Sequence, residues 1–149
     1  MEYKLLTKFT GKDLHHSNSV IADFLHEHLE EYGDSKYDIL LALEYVFDPL
    51  KPGGTIILQL DENIIIGAVV INETGMAKYI PENILVYIAV HSGHRGSGIG
   101  KELMKNAIKF TKGDIALHVE PNNPAIFLYN KMGFENKYSE MRLQRRSSK

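Results

Sequence analysis

The chain has 149 residues, 44% of them hydrophobic, a formal charge of −2 and no cysteine. That length suits one domain with a substantial core and is short for two. The slight negative charge argues against a globally basic nucleic-acid surface, the lack of cysteine excludes disulfides, a thiolate nucleophile and cysteine-based zinc ligation, and no apolar run nears the ~20 residues of a membrane span. The start, Met1-Glu2-Tyr3-Lys4, lacks the basic-then-apolar plan of a signal peptide, so a cytoplasmic protein is expected. The basic end Arg145-Arg146-Ser147-Ser148-Lys149 is expected to fray, with 144–149 a flexible tail on a single domain spanning 1–149.

Tyr3 to Phe9 partly alternates apolar with polar and stops at Gly11, which predicts a first strand. From Asp13, read as an N-cap, Val20, Ile21, Phe24, Leu25, His28 and Leu29 fall at helical spacing, and Gly33 closes the run. Lys36 to Phe47 repeats the pattern with Ile39, Leu40, Leu43, Val46 and Phe47, and the prolines and glycines at 49–54 end it. Thr55–Leu60 and Ile64–Ile71 are β-branched runs joined by Asp61-Glu62-Asn63, a hairpin of core strands. Ile84–Val90 predicts a fourth strand and Lys101–Phe110 an amphipathic helix. Ile115–Val119 predicts a fifth strand, Ala125–Lys131 a short helix stopped at Gly133, and Glu135–Leu143 a polar last strand. The order β-αα-β-β-β-α-β-α-β implies an α/β domain with a mixed central sheet.

Between the fourth strand and its helix lies Arg95-Gly96-Ser97-Gly98-Ile99-Gly100, preceded by Gly93. Glycines let the backbone take positive φ and approach a ligand, and the first helical turn offers unpaired N–H groups and the positive end of the macrodipole. A pyrophosphate is therefore expected here. A dinucleotide-binding fingerprint does not fit, because its third glycine falls on Lys101, and neither does a phosphate-binding P-loop, because no Ser or Thr follows Lys101.

This loop resembles the Arg/Gln-x-x-Gly-x-Gly/Ala acyl-CoA loop of the GNAT superfamily of N-acetyltransferases. Asn123-Pro124-Ala125-Ile126-Phe127-Leu128-Tyr129-Asn130-Lys131-Met132-Gly133-Phe134 is similar to that family's Asn…Ala…Leu-Tyr…Gly-Phe segment. The resemblance runs closely from about Ile84 to Phe134; before that only the order of elements agrees. It implies a GNAT-like fold with a mixed, mostly antiparallel sheet and an acetyl-CoA donor. The pyrophosphate would lie on the N–H groups of Arg95, Gly96, Ser97, Gly98, Ile99, Gly100 and Lys101. It further implies that Ile88, Ala89 and Val90 line the pantetheine arm, with the Ile88 N–H polarising the thioester carbonyl, and that Asn123 contacts the arm.

By the same resemblance Tyr129 is the acid that protonates the leaving thiolate; a buried core aromatic is the competing reading. Many members carry a Glu where this chain has Val86; of the substitutes Glu120 is preferred over His118, His91 and Glu82, and a water chain acting on a partly neutral amine would need no dedicated base. Partners are then a small-molecule amine or a protein or peptide amine, with homodimerisation left open and no nucleic acid or membrane expected. The patch Glu27, Glu30, Glu31 and Asp34 would attract a cationic amine if the two helices wall the acceptor site. No metal is expected: His26 and His28 are not an i,i+4 pair on a helix. A non-catalytic acyl-CoA-binding domain and transfer of a longer acyl chain are the alternatives.

Overall fold

Strands β2 (Gly54–Asp61) and β3 (Ile64–Glu73) form the middle of the sheet because their apolar runs are buried on both faces. Their turn, Glu62-Asn63, has φ of 49° and 67°, the two left-handed residues of a type I′ hairpin. Strand β1 (Glu2–Leu6) pairs antiparallel with β2, and β4 (Asn83–Val90) pairs antiparallel with β3. Strand β5 (Ile115–Ala116) is parallel to β4, which gives the mixed, mostly antiparallel α/β sheet in the order β1-β2-β3-β4-β5. The structure is a computed structural model and describes residues 2–145. The chain divides into two compact units, Met1–Leu117 and His118–Lys149, and the whole sheet belongs to the first.

Helices α1 (Asn18–Leu29) and α2 (Lys36–Phe47) cover one face of the sheet. Their buried stripes, Ile21, Ala22 and Leu25, then Ile39, Leu43 and Val46, meet Ile56, Leu58, Leu60, Ala68, Val70, Tyr87 and Ala89 in one core. Each fully buried Leu or Ile contributes about 2 kcal/mol relative to exposure. The α1 helix begins later than the sequence predicts: Ser17, not Asp13, is the N-cap, accepting from the Val20 N–H. The Asp13 carboxylate is taken up by the preceding loop, where it accepts from the His15 and His16 N–H groups and pairs with Lys4.

Helix α3 (Ile99–Phe110) covers the opposite face with Ile99, Leu103, Met104 and Ala107. It lies so close to the sheet that a Cβ on Gly67 would stand 2.8 Å from Leu103 Cδ1 and 2.9 Å from Ile99 Cγ2. Among the described residues no helix is long and apolar enough to cross a membrane.

In the second unit the described ordered element is α4 (Ile126–Lys131). Two expected strands are corrected here. The fifth stops after Ala116, because β4 offers it partners only at Asn83 and Ile84. The last, expected at 135–143, is irregular and exposed: its apolar residues Tyr138, Met141 and Leu143 do not share one face of an alternating strand, and all three stand in solvent. Of the tail expected at 144–149, Arg146 to Lys149 lie outside the described residues.

Candidate functional site

The first unit brings the end of β4 and the glycine loop together. Along β4 successive N–H groups alternate in direction. The His91 N–H donates to Ile66 O at 2.8 Å, and Ala89 pairs with Ala68, so alternation turns the Ile88 and Val90 N–H groups away from β3. They face the edge where β5 pairing has already stopped, so among the described residues of this unit no strand pairs with Leu85–Val90 on that side. An extended ligand arm can hydrogen-bond to such an edge as a strand would.

The strand leads through a 3-10 turn, Ser92–His94, into the loop. Gly96 and Gly98 have φ of 83° and 86°, and a Cβ on either would meet nothing within 4 Å. The left-handed backbone explains the glycines, and the open space in front of them leaves room for a ligand. Gly98 is the N-cap of α3 and provides no side-chain cap, whereas Ser17 and Ser35 cap α1 and α2. The first intrahelical bond runs from the Glu102 N–H to Gly98 O, which leaves the N–H groups of Ile99, Gly100 and Lys101 without an intrahelical acceptor. This geometry fits a pyrophosphate.

The Arg95 side chain points elsewhere. Its Nη2 donates to the His28 carbonyl at 2.7 Å and its Nη1 to Glu30 Oε1 at 3.1 Å, both at the C-terminal end of α1. Beside it His28 Nδ1 accepts the Ser92 N–H at 3.2 Å, and the His28 and His91 rings meet at a tilt with centroids 4.3 Å apart. Burial, with the neighbouring His91 and Arg95, holds the His28 imidazole below its usual value against the opposing pull of Glu27 and Glu30.

Val86 is half-buried against the core, so the position offers no base. The next residue was not singled out by the sequence. The Tyr87 hydroxyl donates to Asp34 Oδ2 at 2.6 Å, and burial followed by that carboxylate pushes its phenol well above the ordinary range. The available signal was a phenol inside the apolar run Ile84–Val90, which needs a polar partner. Of the other base candidates, Glu82 accepts the Asp114 N–H and is lowered chiefly by that bond, and His91 Nδ1 accepts the Gly93 N–H.

The second unit holds Glu120, Asn123 and Tyr129. The Asn123 N–H donates to Glu120 O at 2.9 Å, and Asn123 Oδ1 accepts the Ala125 N–H at 2.9 Å, so this asparagine shapes the turn into α4. Glu120 and His118 are exposed. Tyr129 is buried, with the Phe134 ring 5.9 Å away, and burial raises its phenol. Among the described residues no group of three or more His, Asp or Glu is placed to hold a metal.

Comparison with known proteins follows the same lines. The fold is similar to that of a ribosomal-protein-alanine N-acetyltransferase from Brucella melitensis, at a TM-score of 0.65 and 14% identity over 99% of this chain and 100% of that one. It is also similar to an aminoglycoside 6′-N-acetyltransferase from Acinetobacter haemolyticus, at 0.65 and 16% over 99% and 100%. An integron cassette protein from V. cholerae matches at 0.63 and 21%, over 96% and 91%. At these identities the likeness speaks for the fold. No curated protein matches the chain. The model of the acetyltransferase (GNAT) family matches residues 18–134, which contain both the glycine loop and the Asn123–Phe134 segment, and the chain belongs to that family.

Proposed function

We propose that this protein is an N-acetyltransferase, one domain across its length, that moves an acetyl group from acetyl-CoA to a primary amine by direct transfer in a ternary complex. The observation that carries the reading is the combination, within the first unit, of an edge at Ile88–Val90 that no described strand of that unit pairs with and a glycine-led helix start at Gly98 without a side-chain cap. One fits an extended arm and the other its pyrophosphate. When bound, acetyl-CoA supplies the thioester that the amine attacks.

The N–H groups of Ile99, Gly100 and Lys101 and the α3 dipole hold the pyrophosphate, with the backbone from Arg95 to Gly98 shaping the cradle. The Ile88 N–H hydrogen-bonds the carbonyl oxygen as it gains charge; a donor so placed lowers the barrier by about 3–4 kcal/mol. Ala89 and Val90 continue the strand-like contact. Tyr129 gives its proton to the departing thiolate, a role supported by a buried phenol kept protonated. Asn123 holds the turn that begins α4 and contacts the arm. Glu120 takes the proton from the amine as it attacks. The chain has no cysteine, which supports direct transfer over a thiol-bound acyl intermediate. The acceptor is a small-molecule, peptide or protein amine, and the setting cytoplasmic.

Val86 favours one competing reading, an acyl-CoA-binding domain without catalysis. Thiol release from acetyl-CoA in the presence of polyamines, amino acids, aminoglycosides and N-terminal peptides separates them. Amine-dependent release supports the acetyltransferase, and tight CoA binding without release supports the competitor. Succinyl-CoA in place of acetyl-CoA tests for a longer acyl donor.

A further inference from the structure

Four features meet where α1 ends, all inside the first unit. Arg95 reaches out of the glycine loop to the His28 carbonyl in the last turn of α1, where a cation also opposes the negative end of the helix dipole. Its second nitrogen takes Glu30, a non-glycine residue held at φ 56°, an unfavourable conformation that persists only where surrounding contacts enforce it. The Ser92 N–H is fastened to His28 Nδ1. His28 itself is buried, its ring in tilted contact with Phe24 at 4.6 Å and with His91 at 4.3 Å. Three bonds thus join the segment 92–95 to the residues at 28–30.

We propose that Arg95 is a positioning residue, strapping the glycine loop to the end of α1 instead of contacting phosphate with its side chain, and that His28 is the acid-sensitive fastener of this strap. The proposal rests on the acetyltransferase reading for what the loop binds, but the strap itself does not depend on it.

The chemistry of the fastener is one-directional. A ring nitrogen accepts an N–H only while it carries no proton, and once protonated it faces the Ser92 N–H as a second donor. The charged and titratable groups around it are Glu27, whose Oε2 lies 3.4 Å from His28 Nε2, and Glu30 on its own helix side, with His91 and Arg95 from the segment after β4. His28 and His91 also border a surface pocket of about 460 Å³ with Asp23, Glu27, His15 and His16, which gives protons access. The neutral ring is favoured in the folded chain, so the fastener is closed near neutral pH and opens as pH falls below the usual histidine value of about 6.5.

The test combines CoA titration calorimetry with amide hydrogen exchange on the full chain. If Arg95 binds phosphate, Arg95→Lys keeps a cation and rescues CoA binding, and Glu30→Gln frees Arg95 and strengthens it. The strap gives opposite signs. A lysine has no planar fork to reach the carbonyl and the carboxylate from two separate nitrogens, so Arg95→Lys, Arg95→Ala and Glu30→Gln each weaken CoA binding about two- to fivefold, the range of an exposed ion pair. Arg95→Ala also speeds exchange at residues 92–98 in the protein without CoA. Acidification from pH 7.5 to 5.5 weakens CoA binding less in His28→Asn, whose amide oxygen replaces Nδ1 without titrating, than in the wild type. Rescue by Arg95→Lys, stronger binding by Glu30→Gln, unchanged exchange in Arg95→Ala, or an equal pH response in His28→Asn overturns the proposal. If the wild type does not bind CoA, the acetyltransferase reading fails, and the exchange experiment still decides the strap.

Discussion

The Tyr87 hydroxyl donates to Asp34 Oδ2 at 2.6 Å, tying the middle of β4 to the residue that precedes the N-cap of α2, Ser35. Tyr87 is buried while Asp34 is exposed, so one end of the bond is shielded and the other wet. Tyr87→Phe keeps the ring and removes the bond, at an expected cost of about 1 kcal/mol, read from urea unfolding at pH 7. The pH dependence follows from the raised phenol. The unfolded chain loses this proton near pH 10 while the folded chain keeps it, so the contribution is complete below about pH 10 and declines above it. Wild-type stability therefore falls more steeply above pH 10 than that of Tyr87→Phe; parallel curves would contradict the assignment.

Asp13 is the acid-side counterpart. Burial alone would raise its carboxyl, but bonds from Lys4, His16 and the His15 N–H outweigh it and hold the value at about 2. A depressed carboxyl stabilises the fold above its unfolded value near 4 and loses that contribution as pH falls through about 2. Asp13→Asn is expected to cost about 2 kcal/mol at pH 7 and little at pH 2. Denaturant unfolding at the two pH values checks this, with an equal deficit at both as the contrary outcome.

Two glycines separate strain from packing. Gly98→Ala places a side chain at φ 86° but in open space, so the cost is the left-handed conformation alone, about 1–2 kcal/mol, together with a loss of CoA affinity. Gly67→Ala drives a methyl into Leu103 and Ile99, an overpacking cost of about 1–3 kcal/mol under α3. At a temperature where both variants are folded, calorimetry with CoA should show the larger affinity loss in Gly98→Ala.

For the proposed chemistry, Tyr129→Phe should lower turnover while CoA affinity stays within about twofold. Unchanged turnover removes Tyr129 as the acid. Glu120→Gln should lose the acidic limb of the pH–rate profile, and a retained limb rejects Glu120 as the base.

Helix α2 runs from Lys36 to Phe47 as its periodicity predicts, and the β2–β3 hairpin and the glycine loop lie where the sequence places them. These features are local: spacing over a few turns decides which face is buried, and glycine decides where φ turns positive. The glycine loop was legible for that reason. Tertiary structure alone decided that β5 pairs for only two residues, that 135–143 forms no strand, and that Ser17 rather than Asp13 starts α1. It also decided the partners of Tyr87 and Arg95, which lie 53 and 67 positions away in the chain. Strand pairing and long-range hydrogen bonds depend on which surfaces the packed core brings together, and no local pattern records that.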